Sequence, residues 1–250
     1  MQRDGWGVTR RCADDGLDAQ AVGRRAGERA LARLDARPVP TGRYPVVFDS
    51  TVASSLLGHF VGAISGGALY RRASFLLDAL GETLFPTRYS ITEDPLRPQG
   101  LASASFDDDA VATAPKAFVA EGRLESYALS VYAGRRLGLA PTGNGGGVHN
   151  LAMNHDGLSR EALLQELGTG LWITELMGQG VNGVTGDYSR GAAGFWVEKG
   201  QIAYPVQEIT VAGQLRDVYR NIRAVADDGE RPRAVEVGSM LVDGMTIAGA

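Results

Sequence analysis

"DSTVASSLLGHFVGAISGG" (residues 49–67) is the stretch on which the reading of this chain turns. Val52, Leu56, Phe60 and Ile64 recur every four residues, which places one apolar stripe along a helix. Ser50 or Thr51 is expected to cap its start by accepting hydrogen bonds from unpaired backbone N–H groups, and Gly66-Gly67 to end it. His59 falls beside the stripe with Ser55 and Ala63, at the edge of a core. A zinc-binding helix needs a second ligand about one turn away, usually with a glutamate to activate water. Positions 54 and 55 are both serine, so the local pattern favours a packing or hydrogen-bonding role for His59.

The segments around this helix read as an α+β chain. "YPVVFD" (44–49) leads into it as a strand, and "RYSITED" (88–94) reads as another. "KAFVAEGRLESYALSVY" (116–132) is expected to form a hairpin pivoting at Glu121-Gly122. "GFWVEKGQIAYPV" (194–206) should form a second at Lys199-Gly200, because glycine supplies the positive φ of a two-residue turn. "LSREALLQELG" (158–168) reads as a short helix with Leu163, Leu164 and Leu167 inward and Gly168 as its stop. "GQLRDVYRNI" (213–222) reads as another. Strands outnumber helices and arrive in adjacent hairpins, which predicts a mainly antiparallel sheet with flanking helices.

Upstream, "DAQAVGRRAGERALARLDA" (18–36) reads as a helix capped by Asp18 with Val22, Ala26, Ala30 and Leu34 as its apolar stripe. "RPVPTGRYP" (37–45) carries three prolines and a glycine, so it is read as a linker at a domain boundary. The segment before it is too short to bury a core of its own and reads as the tail of a truncated domain.

Composition narrows the function classes. The chain has 250 residues, 44% of them hydrophobic, and a formal net charge of −4, so no excess of positive charge draws it to nucleic acid or an anionic membrane. Lys116 and Lys199 are its lysines, and its arginines are scattered rather than gathered in a patch. Cys12 is the one cysteine, which excludes an intrachain disulfide and a cysteine-rich zinc site and fits a reducing cytoplasm. No apolar run approaches the roughly 18 residues of a membrane span, and the first residues lack the apolar segment of a signal peptide.

Several stretches invite a chemical reading. The glycine-rich segments 142–150, 63–70 and 178–194 lack the G-K-[ST] ending of a phosphate-binding loop and read as turns. His149, His155 and Asp156 match no usual metal-ligand spacing. No G-x-S-x-G elbow marks a serine nucleophile. "TGDYSRGAAG" (185–194) gathers Asp187, Tyr188, Ser189 and Arg190 in what reads as a glycine-flanked turn before a hairpin. These four are the candidate substrate-binding residues, suited to holding a peptide backbone.

Taken together, "GVTGDYSRGAAGFWVEKGQIAYPVQEITVAG" (183–213), "SLLGHFVGAISGGALYRRASFLLDALGETLFP" (55–86), "TGNGGGVHNL" (142–151) and "LVDGMTIAGA" (241–250) resemble the C-terminal half of the PmbA-type (TldE-type) branch of the TldD/PmbA family. The resemblance implies that residues 1–39 are the last strand and helix of a middle domain whose remainder is absent. Residues 43–250 would then be the C-terminal domain. It also implies a heterodimeric zinc metalloprotease acting on unfolded peptides, in which a TldD-like partner carries the metal. TldD-type chains hold H-E-x-x-x-H at the positions of residues 54–59 and a cysteine ligand near their C-terminus. Here Ser54 and Ser55 stand in place of the histidine and glutamate, and "DDGERPRAVEVGSM" (227–240) offers no cysteine. The resemblance therefore makes His59 a vestigial ligand position, with no catalytic or metal-binding residue and no cofactor in this chain. The alternative it carries is a stand-alone peptide-binding or regulatory module, since family members have borne the label of DNA gyrase modulators.

Overall fold

The computed structural model describes residues 18–229 and 233–249, which form an α+β arrangement of six helices and eleven strands. In chain order these are α1 (Ala19–Leu31), β1 (Gly42–Phe48), α2 (Ser50–Ile64) and α3 (Gly66–Tyr70). There follow β2 (Ile91–Glu93), β3 (Lys116–Ala120), β4 (Arg123–Leu124), α4 (Val131–Leu137), β5 (Leu151–Met153) and α5 (Arg160–Leu167). The long strands come next, β6 (Gly170–Met177), β7 (Asp187–Glu198) and β8 (Gln201–Gln214). α6 (Leu215–Arg220), β9 (Ile222–Val225), β10 (Val235–Glu236) and β11 (Met240–Ala248) complete the set.

Six strands make one sheet in the order β1-β6-β7-β8-β11-β9, and an additional pairing of β1 with β11 curls it into a barrel-like ring. Five short strands make a second sheet, β10-β5-β2-β3-β4. Pairing is mainly antiparallel, as expected, with β1–β6 and β10–β5 running parallel. Val46 and Phe48 of β1 join the main core with α2, while Val47 joins a second cluster under α5 with Trp172, Leu163 and Leu167. Burial on both faces explains why this strand reads as an unbroken apolar run.

Both predicted hairpins form. Glu121 (φ 48°) and Gly122 (φ 79°) link β3 to β4, and Lys199 (φ 51°) and Gly200 (φ 75°) link β7 to β8. The first is shorter than its sequence suggested. The backbone leaves the sheet after Leu124, Gly66 N donates to the Ala128 carbonyl, and Ser130 caps α4 where a strand was expected to run to Tyr132. α5 matches its reading with Gly168 as C-cap, although Leu164 is only partly buried. α6 also forms where read.

Three local expectations are corrected. α2 is capped by Asp49, not by Ser50 or Thr51, and it ends at Ser65 rather than at the glycines, because the Ser65 hydroxyl starts a new helix by capping α3. α1 is capped by Asp18 as predicted but stops at Leu31, so its apolar stripe ends early. Leu34 is 54% exposed and no residue of α1 is buried. The stretch 37–45 does not stay irregular: Arg37 N bonds the Pro205 carbonyl, Val39 is buried, and β1 begins at Gly42. Pro45 sits within that strand at a register shift between Tyr44 and Val46, where its missing N–H costs no ladder bond. The strand expected before α1 falls outside the described residues.

Candidate functional site

α2 is anchored at its N-terminus by side chains from distant segments. The Asp49 carboxylate accepts from Thr51 N (3.1 Å) and Thr51 Oγ1 (2.7 Å), from the Trp172 indole (2.9 Å) in β6, and from Arg160 (2.9 Å) in α5. Burial alone would raise the Asp49 carboxyl, but Arg160, Trp172 and Thr51 outweigh it and hold it below the ordinary carboxylate value. The Ser239 hydroxyl accepts from Ser50 N (3.0 Å) and donates to Asp228 (2.6 Å). With its first turn tied down on both sides, the helix presents His59, two turns on, to the rim of the large sheet.

At that rim His59 meets two of the residues singled out by sequence. Its ring packs edge-to-face on Tyr188, with centroids 6.0 Å apart at 71°. Burial and then the Arg190 guanidinium push its pKa below the ordinary histidine value. Tyr188 is 1% exposed, and burial raises its phenol well above the usual tyrosine range. His59 Nε2, the Tyr188 hydroxyl and Arg190 Nε are all buried without a hydrogen-bond partner. Native interiors pair nearly all such groups, so three in one neighbourhood are an outlier.

"GDYSRG" is therefore not a loop, contrary to its sequence reading. Asp187, Tyr188, Ser189 and Arg190 open β7 and alternate: Asp187 and Ser189 are exposed, Tyr188 is buried and Arg190 partly so. The pleat splits the candidate group in two, with Tyr188 and Arg190 beside α2 and the other pair on the opposite face. Asp187 accepts from Gln214 (2.9 Å) and Thr185 (2.5 Å). The true loop precedes β7: residues 178–186 fold back so that Ser189 N donates to the Gly180 carbonyl at 2.7 Å. A Cβ on Gly180 would lie 1.9 Å from Ser189 O, so only glycine allows this approach.

The remaining candidates play separate parts. His149 Nδ1 lies 3.2 Å from Glu93, whose buried carboxylate also receives Lys116 (2.6 Å) and Asn144 (2.9 Å), locking the glycine-rich loop 142–150 to β2. His155 pairs with Asp227 (3.4 Å), while Asp156 accepts from Tyr89 and Val225 N. Sequence reasoning passed over Asp49, Trp172 and Arg160. They touch only through the fold, and the D-S-T start of α2 was the one local hint.

The donor set around His59 does not fit zinc. Zinc requires three or four nitrogen, sulfur or carboxylate donors at about 2.0–2.3 Å. Ser55, one turn before His59, donates its hydroxyl to the Val52 carbonyl at 2.7 Å, and Ser54 offers only another hydroxyl. Among the described residues no three His, Cys, Asp or Glu side chains converge to hold a metal ion, and no helix is long and apolar enough to cross a membrane.

Two clefts flank α2. One of about 760 Å³ lies beyond its N-terminus, where Asp49–Arg160 and Arg33–Glu175 already pair their charges. The other, about 340 Å³, is lined by Gly58, His59, Gly62, Phe75, Gln179 and Val181, among others. Gly58 and Gly62 open it, since a Cβ on either would meet nothing within 4 Å.

Residues 41–249 match the family described as "PmbA/TldA metallopeptidase C-terminal domain". The chain is 47% identical over 249 residues to "Metalloprotease PmbA" of Escherichia coli O157:H7, covering 100% of this chain and 55% of that protein. It thus spans about half the length of the curated relatives it matches. A solved structure from Bacteroides thetaiotaomicron, proposed as a modulator of DNA gyrase, superposes with a TM-score of 0.90 at 28% identity, covering 95% of this chain and 54% of that one. TldE from Thermococcus kodakarensis shares the fold, with a TM-score of 0.82 at 20% identity over 94% of this chain and 56% of that one.

Proposed function

This chain belongs to the PmbA/TldD family of metallopeptidases, and on that premise we propose that it serves a two-subunit peptidase as the subunit without the zinc. The observation that carries the reading is α2 itself. One imidazole stands on it, and hydroxyls occupy the positions that would supply its co-ligand and base. The hydrolytic step then belongs to a TldD-like partner bearing H-E-x-x-x-H. This chain closes a cavity against that partner and helps hold an unfolded peptide there, beside the face of β7 that carries Tyr188 and Arg190. The single cysteine, Cys12, supports placing the pair in a reducing cytoplasm.

Co-expression with a TldD-like chain, followed by metal analysis of each subunit and assay on an unstructured peptide, tests the reading. Zinc should reside in the partner, and chelator-sensitive cleavage should need both chains. One tightly held zinc per copy of this chain, purified alone, would overturn it.

A further inference from the structure

Arg190 makes no ion pair and no side-chain hydrogen bond among the described residues, although its Nε is buried. Arg33, the buried arginine, is paired with Glu175, and the partly exposed Arg97 and Arg160 are paired with Glu236 and Asp49. Arg190 is only partly buried, yet its Nε is shut off from solvent with no acceptor, which native interiors seldom allow. The groups around it are the buried Tyr188 hydroxyl and the His59 Nε2, both without partners. The hydroxyl donates, Nε2 donates in one neutral tautomer, and the guanidinium has only donors. What such a set lacks is an acceptor carrying negative charge.

A place for that acceptor adjoins it. His59 lines the 340 Å³ cavity, whose other walls include Phe75, Val181, Ala63 and Leu215. An open cleft with Phe75, Val181 and Leu215 on its walls, beside three unmet donors, suits a carboxylate attached to an apolar group. The other titratable groups of β7 do not compete: Asp187 is on the opposite face, tied to Gln214 and Thr185, and Glu198 accepts from Trp196 at the far end. α2 itself carries no acid, and Asp49 at its cap is already engaged by Arg160 and Trp172.

We propose that His59, Tyr188 and Arg190 form a carboxylate-binding subsite of the peptide-holding surface, with the cavity taking the adjoining apolar side chain. Arg190 supplies the charge-assisted bond and Tyr188 and His59 orient it. The site takes either a peptide's C-terminal carboxylate or an acidic side chain within it. The proposal rests on the peptide-holding role above, but it is read on this chain alone.

Calorimetric titration of the purified protein, without partner or metal, tests it with three probes. These are acetyl-Ala-Phe-Ala-Leu with a free carboxylate, the same peptide amidated, and amidated acetyl-Ala-Glu-Ala-Leu. One of the two carboxylate-bearing probes should bind at least about tenfold more tightly than the amidated neutral one, and which of them does so identifies the source of the carboxylate. Arg190→Gln should remove that preference and Arg190→Lys restore part of it. Tyr188→Phe, which deletes only the hydroxyl, should weaken the preferred probe severalfold and by more than it weakens the neutral one. Equal binding of all three probes, absence of binding, or a preference that survives Arg190→Gln in a folded variant would overturn the proposal. Zinc-dependent cleavage by the paired subunits would still stand in those cases, so the two readings fail separately.

Discussion

The indole N–H of Trp172 and the carboxylate of Asp49 meet at 2.9 Å inside the protein, joining the start of β6 to the cap of α2. Arg160 completes the unit, with its guanidinium 2.9 Å from Asp49 and 4.4 Å above the Trp172 ring. Asp49→Ala should cost about 3 kcal/mol, the sum of a lost N-cap and an indole N–H left buried without an acceptor. Asp49→Asn, which keeps an acceptor oxygen, should cost clearly less. Urea denaturation of the two variants measures the difference.

The same carboxylate sets part of the acid limit. Its folded-state pKa lies below the unfolded value of about 3.9, so its contribution is fully present above that pH and is lost as pH falls through the depressed folded value. Stability measured from pH 5 downward should fall less steeply in Asp49→Asn than in the parent. Parallel acid limbs would contradict the assignment.

His59 should work against stability. Its Nε2 is buried and unpartnered, so His59→Leu should stabilise the chain by about 1 kcal/mol, a rise of roughly 2–4 °C in melting temperature. The sign of its pH dependence follows from its depressed pKa. Above about 6.5 both states are neutral and nothing changes; as pH falls from there toward the folded value, the unfolded chain takes up a proton that the folded one refuses, and stability drops. That drop should be absent in His59→Leu.

Grafting Ser54→His and Ser55→Glu should not produce a zinc enzyme. The pair restores a histidine and a glutamate, but no cysteine stands in residues 227–240, and the Ser55 hydroxyl bond to Val52 is lost in the exchange. Metal analysis of the double variant should find less than one zinc per chain. Stoichiometric zinc with chelator-sensitive cleavage would mean that a ligand was misjudged.

Gly122→Ala should destabilise by more than about 2 kcal/mol. Gly122 has φ 79°, and a Cβ there would lie 2.2 Å from the Phe85 carbonyl oxygen, which cannot retreat because Phe85 N is itself bonded to Gly122 O. Thermal unfolding of the variant checks it. Gly138→Ala, where φ is 70° but a Cβ meets nothing within 4 Å, should cost only the backbone strain of about 1 kcal/mol.

By itself the sequence determined what depends on neighbours along the chain. The apolar spacing of α2, the hairpin turns at Glu121-Gly122 and Lys199-Gly200 and the stop at Gly168 all follow from residues a few positions apart, and the α+β class follows from their order. His59 could likewise be recognised as standing without a ligand pattern. Only the tertiary structure decided the rest. Asp49 prevailed over Ser50 and Thr51 as the cap because Arg160 and Trp172, 111 and 123 residues away, complete its coordination. "GDYSRG" became strand because β8 pairs with it along Asp187–Arg190, which outweighs the turn preference of its glycines and aspartate. That pairing also sorted Tyr188 and Arg190 to the face of His59 and sent Asp187 and Ser189 away. Side chains alternate in a strand, and whether a short polar stretch is a strand depends on a partner that the stretch does not contain.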